Sequence, residues 1–255
     1  MTTLRIMHAA FVQHWLLTAR RGEFAFNALN QLATIAVIGW LANQSGRPQL
    51  VTALAFGIVF MVVWRAAVFQ VGGMVNNANN QGTLELEMMA RAPIGLVMLG
   101  KTLAAIAFYG VIGIAGFVMV LAIGGSLPKV ANLLVLLPSL AVAFAAVLAT
   151  AFLFAPLTFV VGGRGGFFNA IIPVGIVLGG FVQPTGLLPL AAEIPARFLA
   201  TSWAMDALNG AIRGDPFSEV ALQWTAALAL SAATFAAAAW LFTRAERRIR
   251  RVGAV

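Results

Sequence analysis

The sequence holds no cysteine, a single tyrosine, two histidines and only eight acidic residues among 255. Without thiols there is no disulfide and no thiolate metal site, although this says little about compartment. The histidines, His8 and His14, lie near the N-terminus with no acidic or further histidine partner close in sequence, which leaves a metal site without ligands. No acidic residue falls well inside an apolar run, so the intramembrane carboxylates typical of ion-coupled carriers are missing. No Ser/His, paired-Asp or metal-ligand set sits at membrane depth either, which argues against an intramembrane enzyme. Charged residues of both signs make up 9% of the chain, against about a quarter in soluble domains.

What is present is apolar. Hydrophobic residues reach 61%, and several runs attain the ~18–20 residues needed to cross a bilayer as helix. The runs lack the period-two alternation of β-barrel strands. The fold class expected is an all-α polytopic membrane protein with about six transmembrane helices. The net charge of +8 does not point to nucleic acid. Its largest cluster is the tail Arg244, Arg247, Arg248, Arg250 and Arg251, directly after an apolar run, where it reads as a cytoplasmic anchor. No cleavable signal pattern is visible, so the first span is expected to direct insertion.

Taken in order, residues 3–21 repeat apolar side chains at helical spacing among Arg5, His8, Gln13 and His14, as expected of an interfacial helix with Trp15 at headgroup depth. Spans are predicted at about 24–42, 50–75, 96–124, 130–161, 167–182 and 220–242. Asn27, Asn30 and Gln31 share one face of the first span, either as interhelical packing amides or as the lining of a translocation path. Arg65 interrupts the second span, either snorkelling toward the interface marked by Trp64 or serving an interior role. Gly110, Gly113 and Gly116 mark a place for close backbone approach in the third, and Pro138 and Pro156 are possible breaks in the fourth. The segment 183–219, divided by Pro184, Pro189 and Pro195, is too short and polar in its pieces to span. It is expected to form short, re-entrant-like outer helices.

Six spans put both termini on one side. With the tail inside, Arg5, Arg20, Arg21, Arg91, Lys101 and Arg164 are cytoplasmic, while Arg47, Lys129, Arg197 and Arg213 are outside. This obeys the positive-inside rule for a multi-pass protein of the cell (inner) membrane.

The polar stretch from Asn76 to Lys101 is then cytoplasmic. Its end, Gly95 to Thr102, matches the phosphate-loop pattern G-x-x-x-x-G-K-[ST], but the four variable positions are large and apolar and lead straight into a span. A real phosphate loop follows a buried strand, so the match is accidental, and Lys101 reads as a snorkelling anchor. The centre of the stretch, about 83–92, reads as a short surface helix. Thr83 is its cap, Glu85 and Glu87 sit in its first turn, and Pro93 stops it. Its apolar residues suit either lipid or a groove on a partner.

Gly82-Thr83-Leu84-Glu85, Met88-Met89, Arg91-Ala92-Pro93 and Gly100-Lys101-Thr102-Leu103 together resemble the signature of the type-2 ABC exporter permeases. The resemblance extends to the six-span layout, the N-terminal helix, the proline-interrupted outer segment and the arginine tail. Asn79-Asn80-Gln81 and Ala92 depart from the residues common in that family. The resemblance implies that 83–92 is a coupling helix contacting a separate ATPase subunit through Gly82, Thr83, Leu84, Glu85, Leu86, Met88, Met89, Arg91 and Pro93. Arg20, Arg21 and Glu23 would form a second contact. It further implies a second permease copy, identical or not, and ATP with Mg held by the ATPase, with no cofactor or metal on this chain. The apolar walls of the spans, with few polar groups, favour an amphipathic cargo over an ion, so a drug-like, lipid or glycan substrate is expected. The alternative is a secondary transporter or channel driven by an ion gradient.

Overall fold

The computed structural model describes residues 3–20, 23–80, 93–125, 127–161 and 165–252, with backbone only at 23–27, 71–72, 74–80, 158–161, 165–169 and 245–252. Every element among them is helical. In order they are α1 (Thr3–Arg20), α2 (Glu23–Gln44), α3 (Pro48–Asn80), α4 (Ile94–Gly124), α5 (Leu133–Val161) and α6 (Gly165–Leu178). A 3-10 turn (Thr185–Leu187) then precedes α7 (Leu190–Ala196), α8 (Ala200–Arg213) and α9 (Phe217–Val252). Four stretches among the described residues are long and apolar enough to cross a membrane: Pro48–Gln70, Ile94–Gly124, Leu133–Leu157 and Phe217–Arg244. This is a helical protein fit for membrane insertion. α6, at 14 residues, rises only about 21 Å, less than the ~30 Å hydrocarbon core.

Lipid tails are as apolar as leucine, so helices in a membrane associate chiefly by close packing, and small residues set where they meet. α3 is the shared element. One face joins α2 and α4 around Ile35, Ile58, Val62, Phe108 and Val120. The other joins α5, α6, α8 and α9 around Phe60, Val63, Trp64, Val147, Met205 and Leu208. A third cluster ties Ile94 and Met98 at the start of α4 to Phe152 of α5 and Phe242 near the end of α9.

Glycines make these approaches. A Cβ on Gly113 would lie 3.1 Å from the Cα of Val59, and one on Gly116 would lie 2.8 Å from Ile35 Cδ1. At Gly57 it would collide with the carbonyl oxygen of Phe181, and at Gly175 with the indole of Trp64. Of the three glycines predicted to admit a backbone, Gly110 alone faces open space.

Other expectations are revised. Trp64 does not mark an interface: it is 2% exposed, rests against Gly175, Phe154 and Phe181, and donates its indole N–H to the Ile172 carbonyl at 3.3 Å. α5 runs unbroken through Pro138 and Pro156. α3 continues helically to Asn80, so the asparagines from 76 extend the second predicted span as helix. α9 likewise carries the arginine tail as helical backbone to Val252.

The chain runs up and down. The turns at 45–47, 127–132, 179–189 and 214–216 gather at one end, here the loop end. The amide of Ala131 donates to the Ile212 carbonyl at 3.2 Å, and that of Lys129 to Thr52 Oγ1 at 3.1 Å. The start of α4 and the end of α9 meet at the opposite, tail end.

Gly57→Ala is expected to destabilise the chain by about 1–3 kcal/mol, through the forced shift of the turn at Phe181. Gly110→Ala, with room for its methyl, is expected to gain about 0.5–1 kcal/mol from helix propensity. Thermal unfolding in detergent checks both; equal effects would remove the close-approach account.

Candidate functional site

The residues expected to contact an ATPase fall mostly outside the described region: Gly82, Thr83, Leu84, Glu85, Leu86, Met88, Met89 and Arg91 lie in 81–92, and Arg21 lies in 21–22. The side chains of Glu23 and Asn27 are not described either. Their surroundings are. Pro93, exposed, occupies the cap position before α4, and Arg20 is exposed in the last turn of α1. α1 lies against α4 beside this junction. Gly100 meets the backbone of Met7, where a Cβ would stand 2.5 Å from the carbonyl oxygen and 2.9 Å from Ala10 Cβ. Trp15 meets Phe108 edge-on at 5.0 Å.

These contacts explain the phosphate-loop look-alike physically. Gly95 to Thr102 is the first part of α4, an α-helix whose amides bond along its own axis. Gly100 serves helix packing, and the Thr102 hydroxyl donates to the Met98 carbonyl at 2.8 Å. Lys101 does not snorkel outward; it is 8% exposed.

Of the residues offered for a translocation path, Asn30, Gln31 and Arg65 have described side chains, and these stand in different surroundings. Gln31 is buried, and its Oε1 finds no hydrogen-bond partner among the described residues. Asn30, one position earlier, is exposed, its carbonyl accepting from the Thr34 hydroxyl at 3.0 Å. Arg65 is exposed on the outer side of α3, four residues before the exposed Phe69.

The loop end holds the densest polar network among the described residues. Helix α8 positions it. Rather than lying on the bundle with a lipid-facing stripe, α8 is enclosed, with twelve of its fourteen residues buried. Ala200, Ala204, Ala207, Gly210 and Ala211 let it slot between α5 and α9, and so bury the polar residues that alternate with them. Asp206 is the hub. It accepts from the Thr185 hydroxyl at 2.5 Å, from the Thr185 amide at 3.4 Å and from Arg197 Nη1 at 2.7 Å. Arg197 also reaches Glu193 Oε1 at 3.2 Å and lies 4.8 Å over the ring of Trp203, whose indole N–H donates back to the Arg197 carbonyl. One arginine thus ties α7 to α8, while Asp206 holds the 3-10 turn onto both. Ser139 of α5 accepts from the Trp224 indole of α9 at 2.9 Å, fastening the walls around α8.

At the end of α8, Arg213 pairs with Asp215, with Nε to Oδ1 at 3.2 Å and Nη2 to Oδ2 at 2.5 Å. This hydrogen bond raises the Arg213 pKa against the opposing effect of burial, with further help from the charges of Asp215, Asp206 and Glu219. Arg213 therefore keeps its charge throughout the physiological range. Beside it opens a cavity of about 430 Å³ between the α2–α3 turn, the chain after α6 and the end of α8.

The expectation of short, re-entrant-like outer helices over 183–219 assigned neither Asp206 nor Asn209 to a site. The signal was there in alanines and glycine recurring opposite Thr201, Ser202, Asp206 and Asn209, a pattern suited to burial on both faces.

Bundle and network together define a helical membrane protein with a locked loop end. The chain matches no protein-family model and no curated protein.

Asp206→Leu and Arg197→Met are each expected to cost about 1.5–3 kcal/mol, the range for hydrogen bonds to charged groups. The double variant should fall well short of the sum, as a double-mutant cycle of detergent unfolding would read. Additivity within ~0.5 kcal/mol would dissolve the proposed hub.

Proposed function

We propose that this chain is the membrane subunit of an ATP-driven type-2 ABC exporter. It moves an amphipathic substrate (drug-like, lipid or glycan) outward, while a separate ATPase subunit binds and hydrolyses ATP. The observation that carries the reading is the signature Gly82-Thr83-Leu84-Glu85 to Pro93, on the segment that joins the tail end of α3 to the start of α4. Force applied to that segment acts on α3, which packs on helices of both halves, and on α4, against which α1 is braced at Gly100.

In this reading the spans are α2, α3, α4, α5, α6 and α9, with α6 completed by the turn that follows it. The charge distribution supports a cytoplasmic tail end. The loop end balances Arg47, Lys129, Arg197 and Arg213 against Glu193, Asp206, Asp215 and Glu219. The tail end carries Lys101, Arg244 and the basic continuation of α9. Arg244 lies 5.3 Å over the ring of the exposed Trp240, an arrangement suited to the headgroup region. Arg65 stands exposed within an apolar span, where a bare guanidinium in hydrocarbon is costly. A second permease copy is the partner that this reading supplies to cover it. At the loop end, Glu193, Asp206 and Asp215 are each engaged by an arginine, which disfavours ion coupling through them.

Purified alone, the chain is expected to hydrolyse no ATP; co-purified with a cognate ABC ATPase subunit, it is expected to confer substrate export in reconstituted vesicles. Specific hydrolysis by the chain alone would overturn the assignment. Glu85→Arg and Met88→Asp are expected to abolish export while leaving membrane insertion intact, and unimpaired export in both would remove the 83–92 segment from the mechanism.

A further inference from the structure

The loop-end cavity has the composition of a binding site. At about 430 Å³ it falls within the ~300–1,000 Å³ range of small-molecule pockets. Leu50, Ala53, Phe181 and Ile212 supply an apolar wall, and Arg47, Asn209 and Arg213 supply polar groups from two separate parts of the chain. No acidic residue lines it.

The polar groups are not used up by the fold. The Arg47 side chain makes no hydrogen bond or ion pair with another described residue. Arg213 gives Nε and one Nη2 hydrogen to Asp215, which leaves the Nη1 donors for another acceptor. Asn209, 6% exposed, borders the cavity, and its side chain makes no hydrogen bond with another described residue. Its polar atoms are not among those sealed from solvent without a partner, so whatever fills the cavity supplies the partners of the Asn209 amide.

The turns that build the cavity require unusual backbone. Gly180 has φ +76°, and a side chain there would crowd Thr185 Cγ2 at 3.2 Å. The same Thr185 is held by Asp206, so the polar hub fixes one wall of the cavity. Depth also follows from the chain. The apolar stretch of α3 begins at Pro48, which lines the cavity, so the cavity stands where a span meets the polar edge of the bilayer.

We propose that this cavity binds the anionic headgroup of an amphiphile, a phosphate or carboxylate on an alkyl tail. Arg47, the free donors of Arg213 and the Asn209 amide hold the anion, while Leu50 and Phe181 contact the first carbons of the tail. The proposal does not depend on the exporter reading, because binding is a property of this chain without an ATPase.

The test is native mass spectrometry of the full chain in neutral detergent, titrated with dioleoyl phosphatidic acid or dioleoyl phosphatidylcholine. One saturable phosphatidic acid adduct is expected, about tenfold tighter than any phosphatidylcholine adduct, as one or two charge-assisted hydrogen bonds imply. Arg47→Gln, on an exposed turn and free of structural partners, is expected to weaken it about tenfold. Ala53→Trp, which fills the cavity and keeps both arginines, is expected to remove it, with thermal unfolding confirming an intact fold. Equal affinity for the two lipids, or a phosphatidic acid adduct unchanged in Arg47→Gln, would overturn the proposal. Displacement of the lipid by millimolar inorganic phosphate would assign the site to a free anion and overturn its amphiphile part.

Discussion

Everything in this bundle depends on how closely α3 can be approached. The Cα of Val59 lies where a Cβ on Gly113 would come within 3.1 Å, and the Phe181 carbonyl fills the space a side chain on Gly57 would need. In a bilayer there is little hydrophobic gain in joining one apolar helix to another, so such contacts carry the stability that burial carries in water. α3 makes them on both faces and thereby holds two packing clusters as one body.

Around that axis the two ends differ in kind. The tail end is aromatic and basic, with Phe152, Phe235 and Phe242 stacked beside α4 and arginines following along α9. The loop end is polar and charge-balanced, and its network is locked by Asp206. In a low-dielectric setting a carboxylate with three donors is strongly held, while one without them would be prohibitive. This explains how a proline-rich segment can fold into the bundle instead of lying on it. An end fixed in this way can keep a small cavity open beside it, lined by one arginine, Arg47, that the fold itself leaves unpaired, and by Arg213, which Asp215 engages on one edge only.

Much of the architecture was legible in residues. Long apolar runs become helices because every backbone amide must be satisfied within the segment when water is absent. Glycine-rich turns at Gly46 and Gly125 adopt positive φ and reverse the chain where the sequence suggested. The phosphate-loop pattern was separable from a true one because its variable positions are too large and apolar to cradle an anion, and α4 runs helically through them. What misled was reading residues singly. Trp64 beside Arg65 suggested an interface, but consecutive positions on a helix point about 100° apart, so one is sealed in the core and the other exposed.

By itself, then, the sequence determined helix and fitness for a membrane, since these follow from local composition: apolar length and turn residues. Only the tertiary structure decided which small residues are contacts and which are not, as Gly113 and Gly110 differ solely in what stands opposite them. It also decided that α8 is an interior helix and that Arg47, far away in the chain, shares a cavity with Asn209 and Arg213 of that helix. Those facts depend on pairings between distant segments, which no local pattern encodes.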